Sequence, residues 1–184
     1  GDGTTGAHLY RRILPSGAAG YERLYARMYV KIGASSDVIH HFGTNLGGNN
    51  PPTQWPMVSA GNQTDGDVSF WTGIEPVRDR TWQFYTYWHK MRASRAGATE
   101  ADSVYYGNRF VMGGQTPLER KKWICVEAML KANAVGQRDG EQAFWIDGKL
   151  VGWWKPGSPA GAYRGTRFVT PAPSGKDPKP FGGF

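Results

Sequence analysis

Strict alternation of apolar and polar residues is the feature that most constrains the fold of this chain. The stretch "ERLYARMYVKI" (22–32) places every second residue in an apolar set, namely Leu24, Ala26, Met28, Val30 and Ile32. The intervening positions carry charged or aromatic groups: Arg23, Tyr25, Arg27, Tyr29 and Lys31. Successive side chains of a β-strand point to opposite faces. The stretch therefore predicts a strand with one buried face and one polar, aromatic face.

Two other stretches repeat this division. In "WQFYTYWH" (82–89), the face expected in the core contains Trp82, Phe84, Thr86 and Trp88. The other face contains residues that all carry a hydrogen-bonding group: Gln83, Tyr85, Tyr87 and His89. In "KWICVEAMLKAN" (122–133), the inner set is Ile124, Val126, Ala128 and Leu130, and the outer set is Trp123, Glu127, Met129 and Lys131. Each stretch has the period of a half-buried strand.

The rest of the chain is consistent with an all-β protein. Strands are also predicted over 68–76 and 141–154, where "DGK" is a hairpin turn signal because Asp-Gly accommodates positive φ. Weaker strands are predicted in "YYGNRFVMGG" and "YRGTRFV". A helix is plausible only within 117–132. Long loops are expected at 43–67 and 91–104, and a Pro/Gly-rich tail at 155–184.

These elements predict a single domain over 1–184, an antiparallel β-sandwich of the jelly-roll type. The polar faces of the three alternating strands resemble one another. We therefore expect them to line one concave groove, with Arg23, Tyr25, Tyr29, Lys31, Gln83, His89, Glu127 and Lys131 contacting a ligand.

The net charge of +7 favours an anionic partner, either a nucleic acid or an acidic polysaccharide. No apolar run approaches the ~20 residues that a membrane helix needs. Neither zinc-ligand spacing nor a serine-hydrolase elbow occurs. The single Cys125 is expected to be an inert, packed thiol. "DGD" at 65–67 is more typical of a turn than of a calcium site, so we expect no cofactor, with a structural calcium left open.

Histidine is the remaining candidate for proton transfer. "VIHHFG" (38–43) sends His40 and His41 to opposite faces of a strand, so at most one of them faces the groove. The pattern alone does not decide which one does, and a structural role for either remains open.

The stretch 122–152 carries a resemblance to a known group. Its pattern W-x-C-V-E, followed by D-G-E-x-x-F-W-I-D-G, resembles concanavalin A-like jelly-roll proteins related to alginate and glucuronan lyases. "YARMYVKI" and "NPPTQWP" are also similar to that group. The resemblance implies a secreted protein, extracellular or periplasmic, although "GDGTTGAHLY" does not read as a signal peptide. It further implies a last strand or two beyond "FGGF", so we expect an exposed sheet edge unless the tail covers it.

Such lyases cleave uronate chains by β-elimination, and the resemblance implies catalytic roles for Arg27, His41, Tyr85 and Tyr87. Arg27, or Gln83, would neutralise the substrate carboxylate, His41 would act as base, and Tyr85 or Tyr87 as acid. Two alternatives stay open, a non-catalytic carbohydrate-binding module and a single-stranded nucleic-acid binder that stacks bases on Tyr and Trp. The latter is disfavoured because no RNA-binding signature is present.

Overall fold

The computed structural model describes ten antiparallel strands in three sheets. The described residues are 11, 21–35, 42–49, 69–76, 81–87, 92–93, 105–106, 108–115, 117–132 and 139–155. The strands are β1 (Arg23–Lys31), β2 (Thr44–Asn49), β3 (Ser69–Pro76), β4 (Trp82–Tyr87), β5 (Arg92–Ala93), β6 (Tyr105–Tyr106), β7 (Asn108–Val111), β8 (Trp123–Lys131), β9 (Glu141–Ile146) and β10 (Lys149–Trp154). This confirms the all-β prediction.

Sheet A has the strand order β1-β8-β9-β10. The alternation predicted for 22–32 and 122–133 is confirmed, because Leu24 pairs with Leu130 and Met28 with Val126. The predicted hairpin joins β9 to β10 through Asp147 and Gly148, which have φ values of 49° and 76°. Two positive φ values match the twist of the flanking strands. The Asp147 carboxylate also accepts a 2.8 Å hydrogen bond from the backbone N–H of Cys125, so the turn is fastened to β8.

Sheet B has the order β2-β3-β4-β7, and β5 pairs with β6 in a separate two-stranded sheet. The prediction of a loop throughout 43–67 is wrong at its start, since β2 pairs with β3 from Thr44↔Ile74 to Asn49↔Ser69. Glycine and asparagine disfavour a strand by composition. Here the backbone ladder to β3 overrides that preference.

The two large sheets pack face to face around an aromatic core. Trp154 of sheet A lies at its centre and is 1% exposed. Its indole stacks on Phe144, with 6.0 Å between ring centroids, and meets Phe84 and Phe110 of sheet B edge-on, at 5.9 Å from each. Edge-to-face contacts are a favourable geometry for buried rings. The protein is therefore a β-sandwich whose even-numbered β4 residues point inward.

A small polar cluster interrupts this core. The hydroxyls of Thr72 and Thr86 are 2.7 Å apart, and the Gln142 side-chain amide donates to both, at 3.1 and 3.0 Å. Thr72 and Thr86 belong to sheet B and Gln142 to sheet A. Because hydrogen bonds are directional, the cluster fixes the register between the two sheets more tightly than apolar contacts alone.

Three other predictions can be compared with the described residues. None of the described residues forms a helix, and residues 120–122 instead make a bend before β8. No described segment is a helix long and apolar enough to cross a membrane. Cys125 is a free thiol, half-buried on the outer face of β8 rather than packed in the core. The tail after 155, and the prediction of an uncovered edge there, lie outside the described residues.

Candidate functional site

The predicted groove is divided between two surfaces. Strands β1 and β8 belong to sheet A, whereas β4 belongs to sheet B. Phe84 of β4 meets Phe144 of sheet A across the core, with 5.6 Å between centroids, so the odd-numbered residues of β4 face away from sheet A. Arg27 and its neighbours likewise face away from sheet B. The prediction that Arg27 shares one cleft with Tyr85 and Tyr87 is therefore wrong. Alternation identifies a strand's polar face but not the sheet to which the strand belongs.

The outer face of sheet B contains a hydrogen-bonded chain of three side chains. The guanidinium Nε of Arg109 donates to Gln83 Oε1 at 2.6 Å, and Gln83 Nε2 donates to Glu75 Oε1 at 2.9 Å. Arginine only donates and a carboxylate only accepts, so the two partners fix the orientation of the amide. Gln83 is held with its acceptor toward a cation, and the cation is exposed while the other two groups are buried.

Two tyrosines continue this surface. Tyr85 lies opposite Arg109 in the β4–β7 ladder, and Tyr87 follows on the same face. Their rings meet edge to face, with centroids 5.1 Å apart. We expected a wet, open face, but Gln83 is fully buried and Tyr85 is 7% exposed. Hydrogen bonding removes the penalty of burying the Gln83 amide. Tyr87 remains half-buried and is the more accessible of the two residues.

The outer face of sheet A carries the other predicted binding residues. Arg27 donates through Nε and Nη2 to the same Glu127 oxygen, at 2.9 and 2.6 Å. That hydrogen bond, followed by the charge of Glu127, raises the pKa of Arg27 above its usual value. At one end of the face, Lys131 lies 3.7 Å from Asp139 and 3.8 Å from Glu141, and Arg23 lies 3.8 Å from Glu141. These pairs are partly exposed to solvent and their distances are long, so they contribute little to stability.

Aromatic rings are conspicuous on the outer face of sheet A. Tyr25 and Tyr29 are 66% and 64% exposed, and Trp123 is 62% exposed. The ammonium of Lys31 lies 5.9 Å from the Trp123 ring centroid, and that of Lys155 lies 4.7 Å from the Trp153 ring centroid. Both are within the range of cation–π attraction. The face thus combines rings with cations.

Some predicted site residues cannot be placed. His41 and His89 lie outside the described residues, as do "DGD" and His40. Within the described part of the chain, no group of three or more His, Cys, Asp or Glu side chains could hold a metal ion.

Sequence reasoning missed Arg109 and Glu75. The stretch "NRFV" does alternate, with Arg109 and Val111 opposite in direction to Phe110, and this signal could have marked Arg109 as outward-facing. What the sequence does not contain is the pairing of β7 with β4, which brings Arg109 to Gln83.

The fold is similar to that of a solved alginate lyase. The alginate lyase vAL-1 from Chlorella virus superposes with a TM-score of 0.52 and 18% sequence identity, covering 73% of this chain and 54% of that one. A variant of the alginate lyase Aly36B in complex with an alginate trisaccharide gives a TM-score of 0.41 and 15% identity, covering 76% and 56%. The chain thus spans about half the length of these structures. At such low identity the similarity concerns the fold alone. No protein-family model and no curated protein matches the chain.

Proposed function

We propose that the protein binds a uronate-containing polysaccharide on the outer face of sheet B and cleaves it by β-elimination. The single observation that carries this proposal is the hydrogen-bonded chain Arg109–Gln83–Glu75 beside Tyr85 and Tyr87. The fold similarity to vAL-1 is consistent with it. We further propose that the protein acts outside the cytoplasm, where such polymers occur, and needs no cofactor.

Elimination requires that the substrate carboxylate be neutralised. Removing the C5 proton leaves an electron pair on C5 that is delocalised onto the carboxylate oxygens, and a fixed cation with hydrogen-bond donors stabilises that charge. Arg109 can supply this stabilisation because its two terminal nitrogens make no hydrogen bond or ion pair among the described residues. Gln83 accepts a hydrogen bond from Nε and so holds the guanidinium in place. The two terminal nitrogens are therefore oriented before the substrate binds.

Proton transfer completes the reaction. A base takes the C5 proton, the C4=C5 double bond forms, the C4–O bond breaks, and an acid protonates the departing sugar oxygen. We assign the acid to Tyr87, because this residue is less buried than Tyr85, whose ring supports it edge-on. We assign the base to His41, on the sequence resemblance alone.

The test is the gain in ultraviolet absorbance of unsaturated uronates, measured with alginate, glucuronan, pectin and hyaluronan. We expect turnover of at least one polymer. Tyr87→Phe should lower kcat by about 10²–10⁴-fold with KM little changed. Arg109→Lys keeps the positive charge but loses the two parallel N–H donors of the guanidinium, and should lower kcat/KM. Tyr21→Phe, an exposed tyrosine away from this face, is the matched control and should leave turnover unchanged.

The opposing outcomes are distinct. Binding of a uronate polymer without any absorbance gain would favour the non-catalytic carbohydrate-binding module, which the exposed rings of sheet A also support. A greater loss in Tyr85→Phe than in Tyr87→Phe would contradict our assignment of the acid. Equal turnover in Arg109→Ala and the unmodified chain would exclude the proposed carboxylate site.

A further inference from the structure

The outer face of sheet A has the character of a binding surface in its own right. We call the following residues the sheet A surface: Tyr25, Arg27, Tyr29, Lys31, Glu127, Trp123, Trp153 and Lys155. Its four rings are between 40% and 66% exposed. Several large exposed rings on one sheet face are typical of an interaction site, whereas single exposed apolar residues are not. None of these residues is near the chain Arg109–Gln83–Glu75, because the core separates the two faces.

The rings are spaced across the sheet. Tyr25 and Tyr29 are separated by four residues of one strand, about 13 Å along β1. Tyr25 pairs with Met129, Met129 with Ala143, and Ala143 with Trp153, so Tyr25 and Trp153 lie in one row across all four strands, about 14 Å apart. Between the two rings this row contains Met129 and Ala143, which are 4% and 1% exposed. A long, flat ligand can contact both rings.

The cations at the two ends of this surface favour an anionic ligand. Lys31, at the end of β1, and Lys155, after β10, each lie over a tryptophan ring and make no ion pair within the described residues. Lysine over an exposed ring is attracted to its face, yet the ammonium retains donors for an anion. The charge of the surface therefore complements a polymer of carboxylates.

The middle of the surface suits sugar hydroxyls. A depression of about 430 Å³ lies between Tyr25, Arg27, Glu127, Trp145 and Gly148. Volumes of this order are usual for small-ligand sites. Arg27 uses only one Glu127 oxygen, so the other oxygen can accept from a hydroxyl and Arg27 Nη1 can donate to one. These donors and acceptors suit the free hydroxyls of a polysaccharide better than a DNA strand, whose deoxyriboses carry no free hydroxyl within the chain.

We propose that the sheet A surface is a second binding site for an acidic polysaccharide, which anchors the polymer on the side of the sandwich opposite the reaction site. The rings stack on the flat faces of sugar rings, and Lys31 and Lys155 neutralise carboxylates near the two ends. The identity of the polymer rests on the proposed function, whereas the location and composition of the site do not.

The experiment measures binding of the full chain to intact alginate and pectate by affinity gel electrophoresis, which requires no turnover. The test variant is Tyr25→Ala with Trp153→Ala, made both in the unmodified chain and together with Arg109→Ala. We expect about thirtyfold weaker binding in both backgrounds, since two stacked rings are lost and each contributes on the order of 1 kcal/mol. Phe42→Ala is the matched control, since Phe42 is 39% exposed and lies outside the sheet A surface. It should bind normally.

Two further pairs of substitutions test whether rings and charges of the sheet A surface bind the polymer. Tyr25→Phe with Trp153→Phe retains the stacking rings and should keep most of the affinity. Lys31→Ala with Lys155→Ala should weaken binding and reduce its salt dependence, because fewer charges are then screened. All these side chains are exposed, so circular dichroism and the thermal midpoint should match those of the unmodified chain.

Three results would overturn the proposal. The first is polymer binding by the Tyr25→Ala, Trp153→Ala variant equal to that of Phe42→Ala. The second is retention of oligothymidylate, but not of alginate or pectate, through these rings. The third is a dimer in sedimentation that the double variant converts to monomer without any effect on polymer binding. Absence of turnover, by contrast, would count only against the reaction site on sheet B.

Discussion

At the residue scale, the packing of Trp154 depends on a glycine two positions earlier. A Cβ atom on Gly152 would lie 2.8 Å from Cη2 of Trp154 and 3.2 Å from Cε1 of Phe144. Both rings are almost fully buried, and Trp154 also contacts Phe84 and Phe110 from the other sheet. The indole therefore cannot move aside without disturbing the interface between the sheets.

We predict that Gly152→Ala destabilises the protein by about 1–3 kcal/mol, the usual cost of overpacking a core. Urea denaturation followed by tryptophan fluorescence measures this. Gly113→Ala is the matched control, because a Cβ atom there meets nothing within 4 Å. It should be neutral or slightly stabilising, since alanine restricts the unfolded chain. Equal stability of the two variants would show that Trp154 can relax.

At the scale of elements, the β9–β10 hairpin shows how a local sequence signal and a distant contact combine. Asp147 takes a positive φ and also caps the end of β8 through the backbone N–H of Cys125. The backbone N–H of Asp147 donates in return to the Cys125 carbonyl at 2.8 Å. The turn thus joins three strands, although only the two adjacent ones can be inferred from "DGK".

We predict that Asp147→Ala destabilises the protein by roughly 1–3 kcal/mol, because it leaves the Cys125 N–H without its acceptor and places alanine at positive φ. Asp147→Asn keeps an acceptor oxygen and tolerates the same backbone, so it should cost much less. Thermal denaturation of the two variants provides the comparison. A cost for Asp147→Asn as large as that for Asp147→Ala would imply that the negative charge, rather than the hydrogen bond, matters.

The strands themselves were predictable where one face is apolar. The alternation in 22–32 and 122–133 predicted β1, β8 and their inward faces correctly, because the period of side chains along a strand is a local property. The degree of burial was predicted less well, since Leu24, Ala26 and Met28 are only half-buried. Met129, which was expected on the outer face, is 4% exposed. β2 was missed because Gly47, Gly48 and two asparagines give no such pattern, and its strand conformation depends on hydrogen bonds to β3. The hairpin was predicted because only a few residue types adopt positive φ without cost.

The candidate site was predictable only in part, for the same physical reason. Gln83, Tyr85 and Tyr87 were recognised as one polar face of β4, and this is correct. The prediction that they share a groove with Arg27 required β1 and β4 to be in one sheet. Alternation along a strand does not specify such long-range pairing. Arg109 reaches Gln83 only through the β4–β7 pairing. The sequence thus identified the polar face of each strand, whereas the sheet topology determined which strands present their polar faces on the same surface.

At the scale of the whole molecule, the two candidate surfaces lie on opposite sides of a sandwich whose sheets pack about 10 Å apart. Substitutions at sites this far apart, with no shared partner, have additive effects in general.

We therefore predict that Tyr25→Ala with Trp153→Ala leaves kcat/KM unchanged on a trisaccharide, which is too short to reach both faces. On long alginate the same variant should raise KM several-fold, because the anchoring contact that raises the local concentration of polymer is lost. Steady-state absorbance assays on the two substrates measure the difference, and Tyr87→Phe should lower kcat equally on both. A loss on the trisaccharide as large as that on the polymer would mean that the sheet A surface acts on the reaction site through the core, and not through a second contact with the same chain.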